Sequence, residues 1–412
     1  MIELPPYIIY LATFATALVI SMVSIPRIIY VSKRKRLFDM PDNNRKVHIN
    51  IIPNLGGIGI FFAYIIVTSL FIKTSSLDKW NYISASSVLL FLTGLNDDLI
   101  TITPKQKFVA QFVAAIITVY FADVRINSLH GFFGIYQLPL WASLSFTVLG
   151  VMFVTNAFNL IDGIDGLAAT IGLLCSLTLG ICLALLDNFG GACIAFSLAG
   201  AIIGFLRYNI SPARIFMGDT GSLLIGFTIS ILCILFIHSF APGKPLMEVV
   251  HNPRGGMVIA LSVLFVPVFD SFRVFITRIL KGGSPFRADK THLHHYLMDI
   301  GFGHSRIVTI LLTSNILIII VSLLVQDYDP NIALLSIFCL TFGLYAILYF
   351  MRKKRLSREL GLKQSPADTS MNSVKNGAPQ LTTGANMYKV ADTMGINGNI
   401  DTITKTTAAH KD

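Results

Sequence analysis

The sequence predicts an all-α, polytopic integral membrane protein with about eleven transmembrane helices. Hydrophobic residues make up 54% of the 412 positions and charged residues only 13%, whereas soluble domains carry about 25% charge. Apolar runs of about 20 residues, the length that crosses a bilayer as a helix, recur along most of the chain. Lysine and arginine are concentrated in alternate connections, as expected for the cytoplasmic side of a membrane protein.

The apolar runs follow one another from the N-terminus and are separated by polar connections. The first run, from Tyr7 to Ile25, is too long for a signal-peptide core and has no basic segment before it, so it is predicted to be a retained span. At about 20 residues per helix, the predicted spans are 7–27, 55–72, 82–96, 108–122, 140–157, 167–186, 191–206, 221–240, 257–276, 307–325 and 332–350.

Basic residues set the predicted orientation. The connection after the first span is strongly basic, and no basic residue precedes that span, so the N-terminus is predicted to be outside. The last span is followed directly by Arg352-Lys-Lys-Arg355, which places the C-terminus in the cytoplasm. These loops also explain the net charge of +10, and without a basic helix interleaved with aromatic residues we expect no nucleic-acid partner.

Two regions of different composition are predicted. Residues 1–356 form the transmembrane catalytic domain, while residues 357–412 are polar and rich in Thr, Asn, Gly and Ala. A segment with so few apolar residues cannot bury a core, so 357–412 is predicted to be a disordered cytoplasmic tail.

Five polar clusters fall on the predicted cytoplasmic side. Within the proposed spans we find hardly any ionisable residue, with His238 near one end of its span. A transporter, the alternative from another class, would place ionisable residues near the midplane. The pattern therefore favours an enzyme whose active site lies at the cytoplasmic face. The clusters are Arg45-Lys46-Val-His48, Asn96-Asp97-Asp98 with Lys105 and Lys107, Asn156 to Asp165, Met217 to Ser222, and Asp289 to His295.

The residue types in these clusters suit phosphate chemistry. Adjacent acids at a helix C-terminus, as predicted for Asp97 and Asp98, need a cation nearby, although a solvated helix end is the simpler interpretation. Asp219 lies between glycines before an apolar span, which indicates a close approach to a ligand or a helix N-cap. Mg²⁺ is typically held by one or two carboxylates together with substrate phosphates. These features predict an enzyme that uses Mg²⁺, with Mn²⁺ as a substitute, and handles phosphates beside lipid.

The clusters together resemble a known family. The chain is similar to the polyprenyl-phosphate N-acetylhexosamine-1-phosphate transferases of the glycosyltransferase 4 type, from about Arg45 to Gly301. The motifs that carry the resemblance are Gly56-Gly57, Asn96-Asp97-Asp98 with Lys107-x-x-x-Gln111, Asn156-x-x-Asn159-x-x-Asp162-Gly-x-Asp165-Gly, Phe216-Met-Gly-Asp219-Thr-Gly-Ser222, and His292-Leu-His294-His295.

The resemblance implies roles for individual residues. Asp97, Asp98 and Asp219 are the implied catalytic residues, and Asp219 and Asp98 the implied metal ligands. A lipid phosphate is already mostly dianionic near pH 7 and gains little from a general base, so we favour positioning and metal support for Asp98, with a covalent aspartyl-phosphate as the alternative. The implied substrate-binding residues are Lys46, His48, Lys107, Asn156, Asn159, Asp162, Arg287, His292, His294 and His295.

Within the superfamily, the His292-Leu-His294-His295 loop resembles the WecA/TagO-like branch, which begins O-antigen and cell-wall glycans. That branch implies transfer of GlcNAc 1-phosphate from a UDP-N-acetylhexosamine to undecaprenyl phosphate, with release of UMP, in the bacterial cytoplasmic (inner) membrane; a homodimer is compatible with it. The alternative is the phospho-N-acetylmuramoyl-pentapeptide transferase of peptidoglycan synthesis, which usually has three successive histidines where this sequence has Leu293.

Overall fold

The computed structural model describes residues 4–37, 52–72, 79–240, 252–282 and 292–364, and the regular structure within these ranges is helical. The helices are α1 (Pro6–Lys35), α2 (Gly56–Phe71), α3 (Trp80–Ile100), α4 (Pro104–Ile116), α5 (Leu140–Ile161), α6 (Leu167–Leu185), α7 (Phe189–Asn209), α8 (Gly218–His238), α9 (Pro253–Val263), α10 (Phe265–Leu280), α11 (Leu293–Ile300), α12 (His304–Leu324) and α13 (Pro330–Gln364).

The membrane-protein class predicted from composition is confirmed. Within the described ranges, eight helices are long and apolar enough to cross a bilayer, namely α1, α3, α5, α6, α7, α8, α12 and α13. The bent pair α9 and α10 meets the same criteria when taken together. The remaining two predicted segments are occupied by the shorter α2 and by α4 with its π-helical extension, Ile117–Phe121.

Helix α8 lies at the centre of the helical bundle. All residues from Thr220 to Ile237 are buried, and the helix packs against α2, α3, α5 and α6. A helix that is apolar on every side is buried either among other helices or in lipid, and here the neighbouring helices cover it. The polar start of α8 is therefore held in a fixed position at one end of the bundle.

Two glycines bring neighbouring helices against the first turn of α8. A Cβ atom at Gly94 of α3 would lie 2.6 Å from both the nitrogen and the Cα of Thr220. Gly57 of α2 faces the backbone of Gly221 in the same way. Only glycine permits so close a backbone approach, and the end of α3 and the start of α2 consequently meet the start of α8.

The bend of 75° between α9 and α10 has an identifiable cause. Pro267 has no N–H, so it cannot donate to the carbonyl of Val263 four residues earlier. The side-chain amide of Asn315 on α12 provides hydrogen bonds at the break. Its Nδ2 donates to the Val263 carbonyl at 3.2 Å, and its Oδ1 accepts from the Val266 N–H at 3.2 Å. Asn315 is buried and satisfies the backbone where the helix breaks.

The predicted division into a catalytic domain and a tail stays a prediction. The last helix continues through residue 357 to Gln364, and residues 365–412 lie outside the described ranges.

Candidate active site

A short turn between α3 and α4 brings Asp97 and Lys107 together. Thr103 caps α4 in a capping box: its N–H donates to Gln106 Oε1 at 3.0 Å, and its hydroxyl accepts from the Gln106 N–H at 3.4 Å. The Ile102 N–H donates to Asp97 Oδ1 at 2.9 Å, and the Lys107 ammonium lies 3.2 Å from Asp97 Oδ2. The predicted cation beside the two acids is thus Lys107.

The neighbouring acid, Asp98, binds the start of α8. Its Oδ1 accepts from the Asp219 N–H at 2.8 Å, and its Oδ2 accepts from the N–H and the hydroxyl of Thr220 at 3.0 and 2.5 Å. A carboxylate at a helix N-terminus satisfies unpaired N–H groups and opposes the positive end of the helix dipole. Asp98 therefore sets the position of the Asp219 backbone.

The Asp219 side chain has a different environment. Its Oδ1 accepts from Asn159 Nδ2 at 2.7 Å, and the same Asn159 amide donates to Ser222 Oγ at 2.9 Å. Its buried Oδ2 accepts no hydrogen bond from the described residues but contacts the Lys107 ammonium. Lys107 thus lies between two carboxylates, those of Asp97 and Asp219, at a place suited to a cation.

The side chains of Asp219 and Asp98 could supply some of the ligands of a divalent ion, with water and substrate supplying the rest. Among the described residues, no group of three or more His, Cys, Asp or Glu side chains is arranged to hold a metal. Mg²⁺ usually keeps several water ligands and takes one or two carboxylates together with substrate phosphates. Asp219 Oδ2 meets that requirement, and Asp98 retains one of its roughly four lone-pair sites.

The turn after α5 carries Asp162 beside this group. Asn156 and Asn159 lie one turn apart on α5, which ends before Asp162. Burial raises the pKa of Asp162 well above its ordinary value, and the charge of Asp98 raises it further. Asp165 instead contacts other elements, because its Oδ2 accepts from the Ala213 N–H at 3.2 Å and lies 3.4 Å from His304 Nδ1. Of the two acids in this turn, Asp162 is the one whose pKa is raised by the charge of Asp98, which makes it the candidate site residue.

The histidines stand at the start of α11 and reach the same turn. His292 precedes the helix and stacks on His294, with 5.8 Å between ring centroids and 6° between planes; the His295 ring lies 4.3 Å from that of His294. A Cβ atom at Gly163 would be 2.6 Å from His294 Nε2. Burial, and secondarily the charge of His295, lowers the pKa of His294 to about 4, so its imidazole is neutral near pH 7.

Two ionisable residues on α10 were not predicted to take part in the site. Asp270 and Arg273 both fall inside the predicted span 257–276, so the expectation of hardly any ionisable residue within the spans is wrong there. Asp270 is 1% exposed and contacts both Arg273 and His292. An acid and a base three residues apart within an apolar helix are a functional signal in their own right.

Gln111 belongs to the motif that begins at Lys107, but the sequence predicted no role for it. It lies one turn beyond Lys107 on α4, is 2% exposed, and neither atom of its amide has a hydrogen-bond partner within the described ranges. Buried amides are normally paired, which makes Gln111 a candidate substrate contact. Of the predicted site residues, Lys46, His48 and Arg287 lie outside the described residues.

This arrangement defines a class: a helical membrane protein with acids, a lysine and histidines gathered where α3, α5 and α8 meet. Comparison with known proteins agrees. Residues 80–237 match the family model for glycosyl transferase family 4. The chain is 31% identical over 336 residues to the probable undecaprenyl-phosphate N-acetylglucosaminyl 1-phosphate transferase of Bacillus subtilis, covering 79% of this chain and 88% of that protein.

Two other relatives extend the comparison. The undecaprenyl-phosphate alpha-N-acetylglucosaminyl 1-phosphate transferase of Escherichia coli K12 is 30% identical over 352 residues, which cover 80% of this chain and 91% of that protein. The decaprenyl-phosphate N-acetylglucosaminephosphotransferase of Mycobacterium tuberculosis H37Rv is 32% identical over 293 residues, which cover 65% of this chain and 70% of that protein. The chain belongs to glycosyl transferase family 4, in the group of polyprenyl-phosphate N-acetylglucosaminyl 1-phosphate transferases.

Proposed function

We propose that this protein transfers GlcNAc 1-phosphate from UDP-GlcNAc to undecaprenyl phosphate, which releases UMP and leaves the sugar on a lipid diphosphate. The observation that carries the proposal is the convergence of Lys107 with Asp97 and Asp219 beside apolar helices. Relatives that are similar to this chain over most of their length bear names that describe the same reaction, which supports the proposal. The product would begin a cell-surface polysaccharide.

The orientation is part of the proposal. With eleven crossings and an external N-terminus, the ends of α3 and α5 and the starts of α4 and α8 all face the cytoplasm. The basic residues from Lys33 to Arg36 and from Arg352 to Arg355 support this orientation. The site then opens toward a soluble nucleotide sugar while its helices remain in the bilayer. Because the relatives are bacterial, we assign the protein to the bacterial cytoplasmic membrane.

The lipid substrate is assigned to the α4 side of the site. Lys107, in the first turn of α4, would bind the lipid phosphate as a charged hydrogen-bond donor. Farther along, α4, its π-helical extension and α5 border an apolar cavity of about 470 Å³. The lining includes Phe112, Ile116 and Val148, so part of a polyprenyl chain could lie there with its phosphate at Lys107. This placement supports undecaprenyl phosphate as the acceptor.

The reaction requires one bond to form and one to break. An oxygen of the lipid phosphate bonds to the β-phosphorus of the donor, the bond from that phosphorus to the oxygen bridging the two donor phosphates breaks, and UMP leaves with that oxygen. Lys107 aligns the nucleophile. Asp98 holds the start of α8 so that Asp219 faces Lys107. Positioning and electrostatics are the main catalytic demands of phosphoryl transfer.

Asp219 is the proposed Mg²⁺ ligand, with Asp98 in support and Mn²⁺ as a substitute. When bound, the ion would neutralise charge on the donor's diphosphate and on departing UMP. Asn159 and Asp162 are assigned to the nucleotide side of the site. His292, His294 and His295 are assigned to the diphosphate or the sugar. A covalent aspartyl-phosphate route predicts one equivalent of UMP from donor alone, whereas direct transfer predicts none before lipid is added.

The test is a UMP-release assay on purified protein with Mg²⁺, undecaprenyl phosphate and a panel of UDP-sugars that includes UDP-MurNAc-pentapeptide. UDP-GlcNAc should be the preferred donor, and Asp219→Asn should reduce the rate at least about 100-fold, the scale of losing a transition-state contact. Full activity of Asp219→Asn would make the metal assignment wrong. Absence of UMP with every donor would refute the transferase proposal, and preference for the pentapeptide donor would favour the peptidoglycan alternative.

A matched control is Asp187→Asn. Asp187 is exposed and follows the far end of α6, roughly 28 Å from the Asp162 turn at 1.5 Å per helical residue. Its positive φ of 54° is also tolerated by asparagine. The same change of chemistry there should leave the rate of UMP release unaltered.

A further inference from the structure

Asp270 is a buried carboxylate that the proposed reaction does not use. It lies on α10, beyond the bend that Asn315 stabilises, and only 1% of its surface is exposed. An unpaired charge at such a position would be strongly destabilising. Three donors among the described residues contact Asp270, and they indicate what it does.

Two of these donors account for its burial. Arg273 Nη2 donates to Asp270 Oδ1 at 2.9 Å, which balances the charge. The guanidinium of Arg273 in turn lies 5.0 Å and 5.1 Å from the ring centroids of Tyr296 and Tyr345, within cation–π range. The backbone N–H of Leu293, the first residue of α11, donates to the same Oδ1 at 2.9 Å. These contacts alone would anchor the start of α11.

The third donor is a side chain of the candidate site. His292 Nδ1 lies 3.1 Å from Asp270 Oδ2, the oxygen that neither Arg273 nor Leu293 engages. Since an ionised carboxylate only accepts hydrogen bonds, His292 must carry a proton on Nδ1. The bond also selects one of two ring orientations that imidazole could otherwise adopt. Nε2 is then the ring nitrogen that can meet a ligand.

We propose that Asp270 is a positioning residue that holds the His292 imidazole by Nδ1, so that Nε2 contacts the diphosphate of the nucleotide-sugar donor. This inference rests on the proposed transferase function and adds a residue to it. Asp270 itself does not touch substrate. Stacking of the His292 ring on His294, which Gly163 contacts in turn, keeps the held ring beside the turn that carries Asp162.

The first test compares the kinetics of the two substrates. Asp270→Asn keeps the shape of the side chain but replaces one acceptor oxygen by a donor nitrogen. We expect kcat/KM for UDP-GlcNAc to fall about 10- to 100-fold, the usual effect of removing the partner that orients a functional histidine. KM for undecaprenyl phosphate should stay within twofold, because Lys107 binds elsewhere. Two results would overturn the inference: an unchanged kcat/KM for the donor, or a rise in KM for the lipid as large as the rise in KM for the donor.

A double-mutant cycle separates positioning from general support of α11. If Asp270 acts through His292, Asp270→Asn should lower donor kcat/KM by less than threefold in a His292→Asn background. A full 10- to 100-fold further loss in that background would show that Asp270 acts by another route. Failure of the wild-type protein to release UMP would instead count against the proposed function, so the two failures are distinguishable.

Asp299→Asn is the matched control on the same helix. Asp299 binds Arg352 of α13 at 2.7 to 2.8 Å near the other end of α11 and does not contact His292. Donor kcat/KM should change by less than threefold in this variant, and a loss like that of Asp270→Asn would mean that any loosening of α11 suffices. If Asp270→Asn cannot be purified folded, Asp270→Glu replaces it in the double-mutant cycle. Glutamate keeps the charge but displaces the carboxylate oxygens, so the loss in donor kcat/KM should again be smaller in the His292→Asn background.

Discussion

The acid group at the start of α8 and the histidine group at the start of α11 are positioned by different means. Around α8, backbone meets backbone: Gly94 and Gly57 allow neighbouring helices to touch the first turn, and Asp98 caps it. The start of α11 is instead positioned by side chains, namely the buried ion pair of Asp270 and Arg273. The first group depends on the absence of side-chain volume, and the second depends on balanced charge.

The largest expected effect comes from adding volume to the first group. Gly94→Ala would place a methyl group 2.6 Å from Thr220 backbone atoms, and neither backbone can move without separating α3 from α8. We expect a loss of about 3 kcal/mol or more in the free energy of unfolding, together with loss of transferase activity. Thermal unfolding in detergent and UMP release measure the two effects.

Gly150→Ala on α5 is the control for that substitution. A Cβ atom at Gly150 would meet no atom within 4 Å, and alanine is the better helix former by about 1 kcal/mol. It should therefore retain activity with equal or higher stability. If Gly94→Ala behaved like Gly150→Ala, close backbone approach would not be what positions the acid group.

The second group should be more sensitive to loss of a polar partner. Asn315→Leu leaves the Val266 N–H buried without its partner and leaves the Val263 carbonyl with only the weak thiol donor of Cys175 at 3.2 Å. A buried group left unpaired costs about 1 to 3 kcal/mol. We expect about 2 to 4 kcal/mol of destabilisation and a larger loss in donor kcat/KM than in lipid kcat/KM, because α10 carries Asp270. Chemical denaturation and two-substrate kinetics provide the readouts.

Ser322→Ala, also on α12, is the companion variant. The Ser322 hydroxyl donates to the Ile319 carbonyl of its own helix at 2.7 Å and bonds to no other helix among the described residues. Its loss should change the free energy of unfolding by less than about 1 kcal/mol. Equal effects of Asn315→Leu and Ser322→Ala would argue against a special role for the bend.

The smallest predicted effect concerns the pH dependence of stability. His294 of the histidine group and Asp162, beside the acid group, contribute to it with opposite sign. The pKa of His294 is about 4 in the folded protein and 6.5 as an ordinary histidine, so the unfolded chain binds the proton first as pH falls. Its contribution to stability is lost from about pH 6.5 down to pH 4, by about 2 to 3 kcal/mol. The raised pKa of Asp162 means that this carboxyl instead adds stability as pH falls through its folded pKa.

Melting temperatures between pH 7 and pH 5 test this contrast. His294→Gln should lessen the fall in melting temperature on acidification, whereas Asp162→Asn should deepen it by removing the opposing contribution. Identical pH profiles for both variants and the wild-type protein would show that neither group is perturbed as described.

Much of the site was predictable from local signals. The capping box at Thr103 and the short turn after Asp97 place Lys107 beside the acid, and all of that information lies within about ten residues. Asp219 was singled out by its glycines, although its contact with Lys107 could not be inferred. Asp270 was missed because the span containing it was judged by its apolar length, and the Asp270 and Arg273 pair was overlooked.

The sequence by itself determined the helical membrane class and the order of the apolar segments, and it identified the side chains proposed to bind phosphate, because hydropathy and residue chemistry are local properties. Tertiary structure alone decided that Asp98 caps a helix whose first turn lies 121 residues away, and that Asp270 meets His292 beyond a bend. Both contacts depend on how closely helices approach and where one breaks. Those outcomes follow from glycine contacts, from Pro267 and from the Asn315 amide acting across the bundle.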